Sequence, residues 1–293
     1  MLVYLKNLFH KLDKKPNNPN IFIDDLNISV SPINHKFFLD GIELAKELKQ
    51  FGQARYRLDP NNNILITIDH CKFYIHTTEE LLILKEIFLQ GVYNFFYNKP
   101  TVVWDIGMNV GIASLFFAGK PFIQKVYSYE PFEETYQKAC LNINLNPKNS
   151  NKIKSFNFGI AQQDKTLTVD YTPEWMGSMS IYNLPSPKIL NINPLLVRKE
   201  KIRLKNASTV LREIKKENKG YAIMAKIDCE GAEFEIIKCL YENNLLNDVT
   251  GFIIEWHKKN PEYIINFLSD SKFTIFSNST ANEKIGMIYA SRN

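Results

Sequence analysis

The apolar positions of this chain fall into short runs that alternate with helical stripes. Residues 101–104 form a brief β-branched run of the kind buried in a parallel sheet, and 112–118 has the length and composition of a packed helix. Similar runs at 126–129, 153–158, 222–227 and 251–256 predict further strands. Residues 133–145, 208–216 and 234–241 predict helices, with Ser208 as the N-cap of the second. A stripe through Leu81, Leu84, Ile87, Phe88 and Val92 predicts a helix over 80–97 that leads into the first central strand. Strands at 167–171 and 202–204 follow from the same pattern, and 273–276 with 285–289 can close as a hairpin. Alternating strands and helices without a solenoid period predict an α/β fold, a doubly wound Rossmann-like sheet with helices on both faces.

The first third reads differently. Residues 1–12 place leucines and Phe9 at helical spacing between lysines, an amphipathic helix that could lie on an anionic membrane surface but is better suited to packing on its own protein or on a second subunit, the latter making a homo-oligomer. Residues 16–20 are turn-forming, 41–51 predict a helix, and 55–58 with 64–69 predict strands. A small α+β appendage over 1–78 ahead of a main domain over 79–293 accommodates this.

Composition narrows the function classes. With 293 residues, 45% of them hydrophobic and 23% charged, the chain has an ordinary globular balance. A net charge of +5, carried by scattered lysines, does not predict nucleic-acid binding. Four cysteines without paired spacing predict free thiols in a reducing compartment. No apolar run approaches the ~20 residues of a membrane span, and the N-terminus lacks a signal-peptide pattern. A cytoplasmic protein without stable membrane insertion is expected.

Candidate chemistry starts at Asp105-Ile106-Gly107-Met108-Asn109-Val110-Gly111. Gly107 and Gly111 let the backbone turn sharply and approach a ligand, with the helix N-terminal amides facing it. Asp105 and the following turn stand at a strand's carboxyl end, where an open α/β sheet presents groups to a ligand. Glu130 ends the next strand and can accept two hydrogen bonds from a ribose diol. An acidic residue there also serves NAD, but Gly-x-x-x-Gly lacks the dinucleotide spacing Gly-x-Gly-x-x-Gly.

Three motifs in order, Asp-Ile-Gly-x-Asn-x-Gly, Tyr129-Glu130-Pro131 and Lys226-Ile227-Asp228-Cys229-Glu230-Gly231-Ala232-Glu233, resemble the FkbM family of S-adenosylmethionine-dependent methyltransferases over roughly residues 80 to 290. The resemblance implies a class I methyltransferase arrangement, S-adenosyl-L-methionine as cofactor, and a cofactor site drawing on Asp105, Gly107, Met108, Asn109, Gly111, Glu130, Pro131, Ala161, Asp228 and Tyr93. Glu86 and Tyr93 resemble positions beside the cofactor, and the edge at 159–161 would border the adenine, with Gln162 and Asp164 in reach. Met108 departs from the small residue common in the family.

Methyl transfer to a hydroxyl requires positioning and a proton acceptor. The carboxylates suit a cationic cofactor and a neutral hydroxyl on a sugar, glycan or other small metabolite. His257 is the expected base, with an ordinary pKa near ~6.5 leaving it neutral at working pH. Asp228 is its orienting partner or substitute, and Glu230 stands behind them. Lys226 is expected only to pair with a carboxylate. A loop at 175–180 could cover the substrate. No metal site is expected, although Asp228, Glu230, Glu255 and His257 offer hard oxygen and imidazole donors at undiagnostic spacing. The competing class is an NAD-dependent dehydrogenase or a non-catalytic nucleotide-binding module.

Overall fold

The computed structural model describes residues 20–94, 99–172, 196–257, 259–279 and 284–292. The predicted helix at 1–12, most of the turn after it, and the loop at 175–180 lie outside the described residues.

In chain order, a small hairpin of β1 (Ile21–Ile23) and β2 (Ile28–Val30) precedes the helices Lys36–Asp40 and Ile42–Gly52. The meander β3 (Arg55–Leu58), β4 (Ile64–Ile68) and β5 (Cys71–Ile75) follows, then the helix Thr78–Phe88. The central strands are β6 (Thr101–Ile106), β7 (Ile123–Tyr129) and β8 (Ile153–Phe156). A side sheet holds β9 (Gly159–Ala161), β10 (Lys165–Tyr171) and β11 (Arg198–Asn206). The chain then returns through β12 (Ala222–Ile227), β13 (Gly251–His257), β14 (Thr274–Ser279) and β15 (Ile285–Ser291).

The main sheet runs β14-β15-β13-β12-β6-β7-β8, with β15 antiparallel to both its neighbours and the other pairs parallel. The strand order reverses between β6 and β12, and the crevice at the carboxyl ends of those strands is where such sheets bind ligands. Period-two alternation splits the core between the two faces. Trp104, Ile106, Ile223, Ala225, Phe252 and Ile254 face one side under the helices Ala207–Glu217 and Glu233–Glu242. Val103, Met224 and Ile253 face the other, continuous with Phe117, Leu84, Phe73 and Phe38. The meander therefore shares a hydrophobic core with the central sheet.

A polar clamp also joins them. Asn142 and Asn146, one helical turn apart on Glu133–Asn144 and just beyond it, meet the edge of β5: Tyr74 N–H donates to Asn142 Oδ1 at 2.8 Å and Lys72 N–H to Asn146 Oδ1 at 2.8 Å. Asn146 Nδ2 donates back to the Lys72 carbonyl at 2.7 Å. Two side-chain amides thus do for an edge strand what a neighbouring strand would do.

Two predicted boundaries move. The helix expected over 80–97 spans Thr78–Phe88. Thr77 caps it by accepting from Glu80 N–H, and Glu80 Oε2 in turn accepts from His76 N–H at 2.6 Å. Gly91 at φ +68° turns the chain out of the helical path and brings Tyr93 to the crevice. The helix expected to start at Ser208 is capped by Asn206, whose Oδ1 accepts from Thr209 N–H at 2.9 Å, while Ser208 is buried beside Cys239. Asn206→Ala should therefore lower stability by about 1 kcal/mol, read as a drop in melting temperature of roughly 2–4 °C. Ser208→Ala, removing no cap, should cost less in the same melt.

Candidate functional site

The turn after β6 is stitched to the end of β7. Gly107 and Met108 N–H groups donate to the Tyr129 carbonyl at 3.2 and 3.0 Å, and Gly111 N–H to Met108 at 3.0 Å. Asn109, at φ +50°, donates its N–H to Glu130 Oε2 at 3.0 Å, and Phe132 N–H donates to Glu130 Oε1 at 3.0 Å. The Gly107 and Met108 amides are thus bound to β7, and Glu130, which accepts from Asn109 and Phe132, is the clamp. Each carboxylate oxygen has a second acceptor direction left. Burial pushes the Glu130 carboxyl up to about 7 against the two backbone donors.

Gly107 makes room for protein as well as for a ligand. At φ +83°, a Cβ there would lie 1.7 Å from the Asp228 carbonyl oxygen, so the close approach of the two loops requires glycine. Met108 is buried against Ala139 and Ile143, which lets a long side chain occupy a position where a small one is common. Asp105, expected to face the ligand, does not line the crevice. It is fully buried, accepts from Ser114 Oγ at 2.5 Å and pairs with Lys226 Nζ at 3.5 Å. Burial raises its pKa against the pull of Lys226.

Two cavities meet here. A narrow one of about 60 Å³ runs between Tyr129, Glu130, Pro131, Ile160 and Leu204. A broad one of about 480 Å³ is lined by Glu86, Tyr93, Met108, Glu255 and His257, among others. Gly107, Asn109, Asp228 and Glu230 border both. Ala161 is buried at the end of β9 and lines neither, and Gln162 accepts from Asn206 through its carbonyl. Gly111 caps the helix Ile112–Ala118 behind the turn.

Asp228 Oδ2 takes the Tyr93 hydroxyl at 3.3 Å and faces Lys226 Nζ at 3.5 Å. Burial and Asp228 together raise the Tyr93 phenol well above its ordinary range. Glu230 sits at φ +56° before Gly231 at φ +114°, a sharp turn that sends its carboxylate back toward His257, Oε1 to Nε2 3.6 Å. His257 closes β13 and is nearly buried, its Nδ1 bonded to Glu233 Oε1 at 2.6 Å. Glu233 carried no role in the sequence reading; its separation of 24 residues from His257 left no local signal.

These surroundings overturn the expectation that His257 is neutral. Burial alone would lower its pKa, but the Glu233 hydrogen bond and the charges of Glu230 and Asp228 outweigh that and carry it up to about 9. The same carboxylates favour the protonated ring, which weakens it as a proton acceptor. Glu255 moves up to about 8, chiefly through burial and then through repulsion by Asp228.

A histidine raised above its unfolded value of ~6.5 adds stability that is full below that pH and lost as pH rises through the folded value. Raised Glu255 works in the same direction, because above its ordinary value the unfolded chain sheds that proton more readily than the folded one. The ligand-free protein should thus lose thermal stability steadily from pH 6.5 to 9. In His257→Gln that decline should be shallower; an identical slope would refute the charged state.

The chain is 28% identical over 206 residues to Methyltransferase sdnD of Sordaria araneosa, covering 63% of this chain and 78% of the relative. Among solved structures, Methyltransferase FkbM of Methylobacillus flagellatus aligns at TM-score 0.45 and 13% identity over 70% of this chain, and this spans only 47% of that protein. TrmK of M. capricolum, solved with S-adenosyl-homocysteine, aligns at TM-score 0.37 and 10% identity over 70% of this chain and 67% of its own. The family model described as the Methyltransferase FkbM domain matches residues 105–275, more than half of the sequence, and the chain belongs to the FkbM methyltransferase family.

Proposed function

We propose that this protein transfers a methyl group from S-adenosylmethionine to a hydroxyl of a sugar or another small polar metabolite. The observation that carries the reading is the meeting of the two cavities across Gly107, Asn109, Asp228 and Glu230. The residues present suit such a cofactor. The narrow cavity offers apolar walls to a purine, and Glu130 at its rim has acceptor directions left for a ribose diol. When bound, the cofactor supplies an electrophilic methyl carbon.

The chain does the rest by placement and charge. Lys226 and Asp228 hold the turn and the following loop at fixed separation. Asp228 and Glu230 make the broad cavity acidic, and Glu86 and Glu255, held toward their neutral forms by burial, ionise more readily once a cation enters, which favours a cation and a neutral acceptor and repels an anionic one. Glu230 borders both cavities and is the proton acceptor in this reading; His257, 3.6 Å away, orients it. Asp228 positions Tyr93 and Lys226 and does not act as the base.

S-adenosylhomocysteine at 100 times its dissociation constant should add about 2.7 kcal/mol of stability in a thermal-shift assay, while NAD should add none; the reverse result would replace this reading with a dehydrogenase. Glu130→Gln, which keeps one carbonyl acceptor for the turn, should weaken that ligand by about 1.5–3 kcal/mol in calorimetry. Unchanged affinity in the folded variant would remove Glu130 from the ribose site.

Glu230→Gln should lose about 10²- to 10⁴-fold in single-turnover rate at near-normal cofactor affinity. The assay is radiolabelled methyl transfer to a panel of sugars and small hydroxyl compounds. A rate within a factor of a few of wild type would rule out Glu230 as the base.

A further inference from the structure

Three donors at the acceptor end of the broad cavity do more than the methyl-transfer reading asks of them. Asp228 stands just beyond β12, and Glu255 and His257 are two residues apart on the adjacent strand β13, so their side chains leave the same face of the sheet. One ligand atom from each lies within 4.8 Å of the others, and among the described residues this is the set of three or more such side chains that converges in this way.

The histidine points to a ligand independently. His257 is nearly buried, and its Nδ1 is committed to Glu233 Oε1 at 2.6 Å. Nε2 is left toward the cavity. Its nearest carboxylate oxygens, Glu230 Oε1 at 3.6 Å and Glu255 Oε1 at 3.8 Å, are beyond hydrogen-bond length. Glu233 is itself wholly buried, a cost that a carboxylate incurs where it fixes the ring of a metal-binding histidine.

We propose that Asp228, Glu255 and His257 bind one divalent transition-metal cation, Mn²⁺ or Zn²⁺, through one carboxylate oxygen each and His257 Nε2, which releases its proton to solvent as the cation takes its place. Two carboxylates and one imidazole suit these ions better than Mg²⁺ or Ca²⁺, which favour all-oxygen sets. Three protein ligands leave coordination positions open to the cavity, as in catalytic rather than structural sites. Bonds of ~2.1 Å place tetrahedral ligands about 3.4 Å apart, so the widest pair draws together by roughly 1.4 Å on binding, within the reach of side-chain rotation. Asp228 Oδ2 already takes Tyr93 and Lys226, which steadies that carboxylate while Oδ1 carries neither contact. In the reaction, which rests on the methyl-transfer reading, an acceptor hydroxyl bound to the cation is polarised and gives its proton to Glu230.

The test uses the full chain, stripped with a chelator, equilibrated with Mn²⁺ or Zn²⁺ alone and read by equilibrium dialysis with elemental analysis. Wild type should hold one cation per chain. His257→Ala and the isosteric Glu255→Gln should each weaken it by at least about 100-fold, and Glu233→Gln by about 10- to 100-fold, while exposed His70→Ala binds as wild type. No stoichiometric binding, or equal affinity in His257→Ala and Glu255→Gln, overturns the site. S-adenosylhomocysteine affinity, measured on the same samples in chelator, separates the two readings. If it is retained while the cation is not bound, the metal site alone falls; if it is lost in wild type, the methyl-transfer reading falls.

Discussion

Lys226 is the side chain on which the crevice depends. Its ammonium is buried, donates to the Gly107 carbonyl at 2.5 Å, and stands 3.5 Å from both Asp105 Oδ1 and Asp228 Oδ2. Burial alone would lower its pKa, but Asp228 and Asp105 outweigh that and keep it charged. One cation thus ties the turn after β6 to the loop after β12, the two loops that meet at the reversal of strand order. Losing one partner of such a buried cluster typically costs about 3–5 kcal/mol, because the remaining charges are left uncompensated. The contact between Gly107 and the Asp228 carbonyl, too close for any Cβ, is the steric counterpart of that tie.

Around this centre the crevice carries an excess of buried acid. Glu130 near about 7 and Glu255 near about 8 show burial opposing ionisation at both ends. His257, at about 9, shows the response of a ring that can take up positive charge there. The same imbalance explains why a cationic ligand fits. Placing positive charge among these carboxylates recovers interaction that a low-dielectric site otherwise withholds. The hairpin and meander before the central sheet support the crevice indirectly, since their core continues into the helix that leads to Tyr93.

Much of the scaffold was legible in the chain because its signal is local. The runs 222–227 and 251–256 read as central strands since both their faces are buried, and they form β12 and β13 with at most one residue's difference. What escaped depended on partners distant in sequence. Asn142 falls inside the predicted helix 133–145 and Asn146 just past it, yet both pair with an edge strand some 70 residues earlier. Asn206 took the cap from Ser208 because Ser208 is buried against Cys239, a contact across 31 residues.

The sequence by itself determined the order of strands and helices, the glycine turn, and the acidic motifs at the strand ends, since periodicity and turn chemistry are properties of neighbouring residues. Only the tertiary structure decided what those acids and His257 are. A pKa is set by burial and by charges within a few ångströms, and Glu233, Glu230 and Asp228 reach His257 from a different segment of chain. That is why a histidine that reads as a neutral base is drawn toward its protonated form in the folded protein, and why Asp105 lies beneath the turn, bound to Lys226 and Ser114.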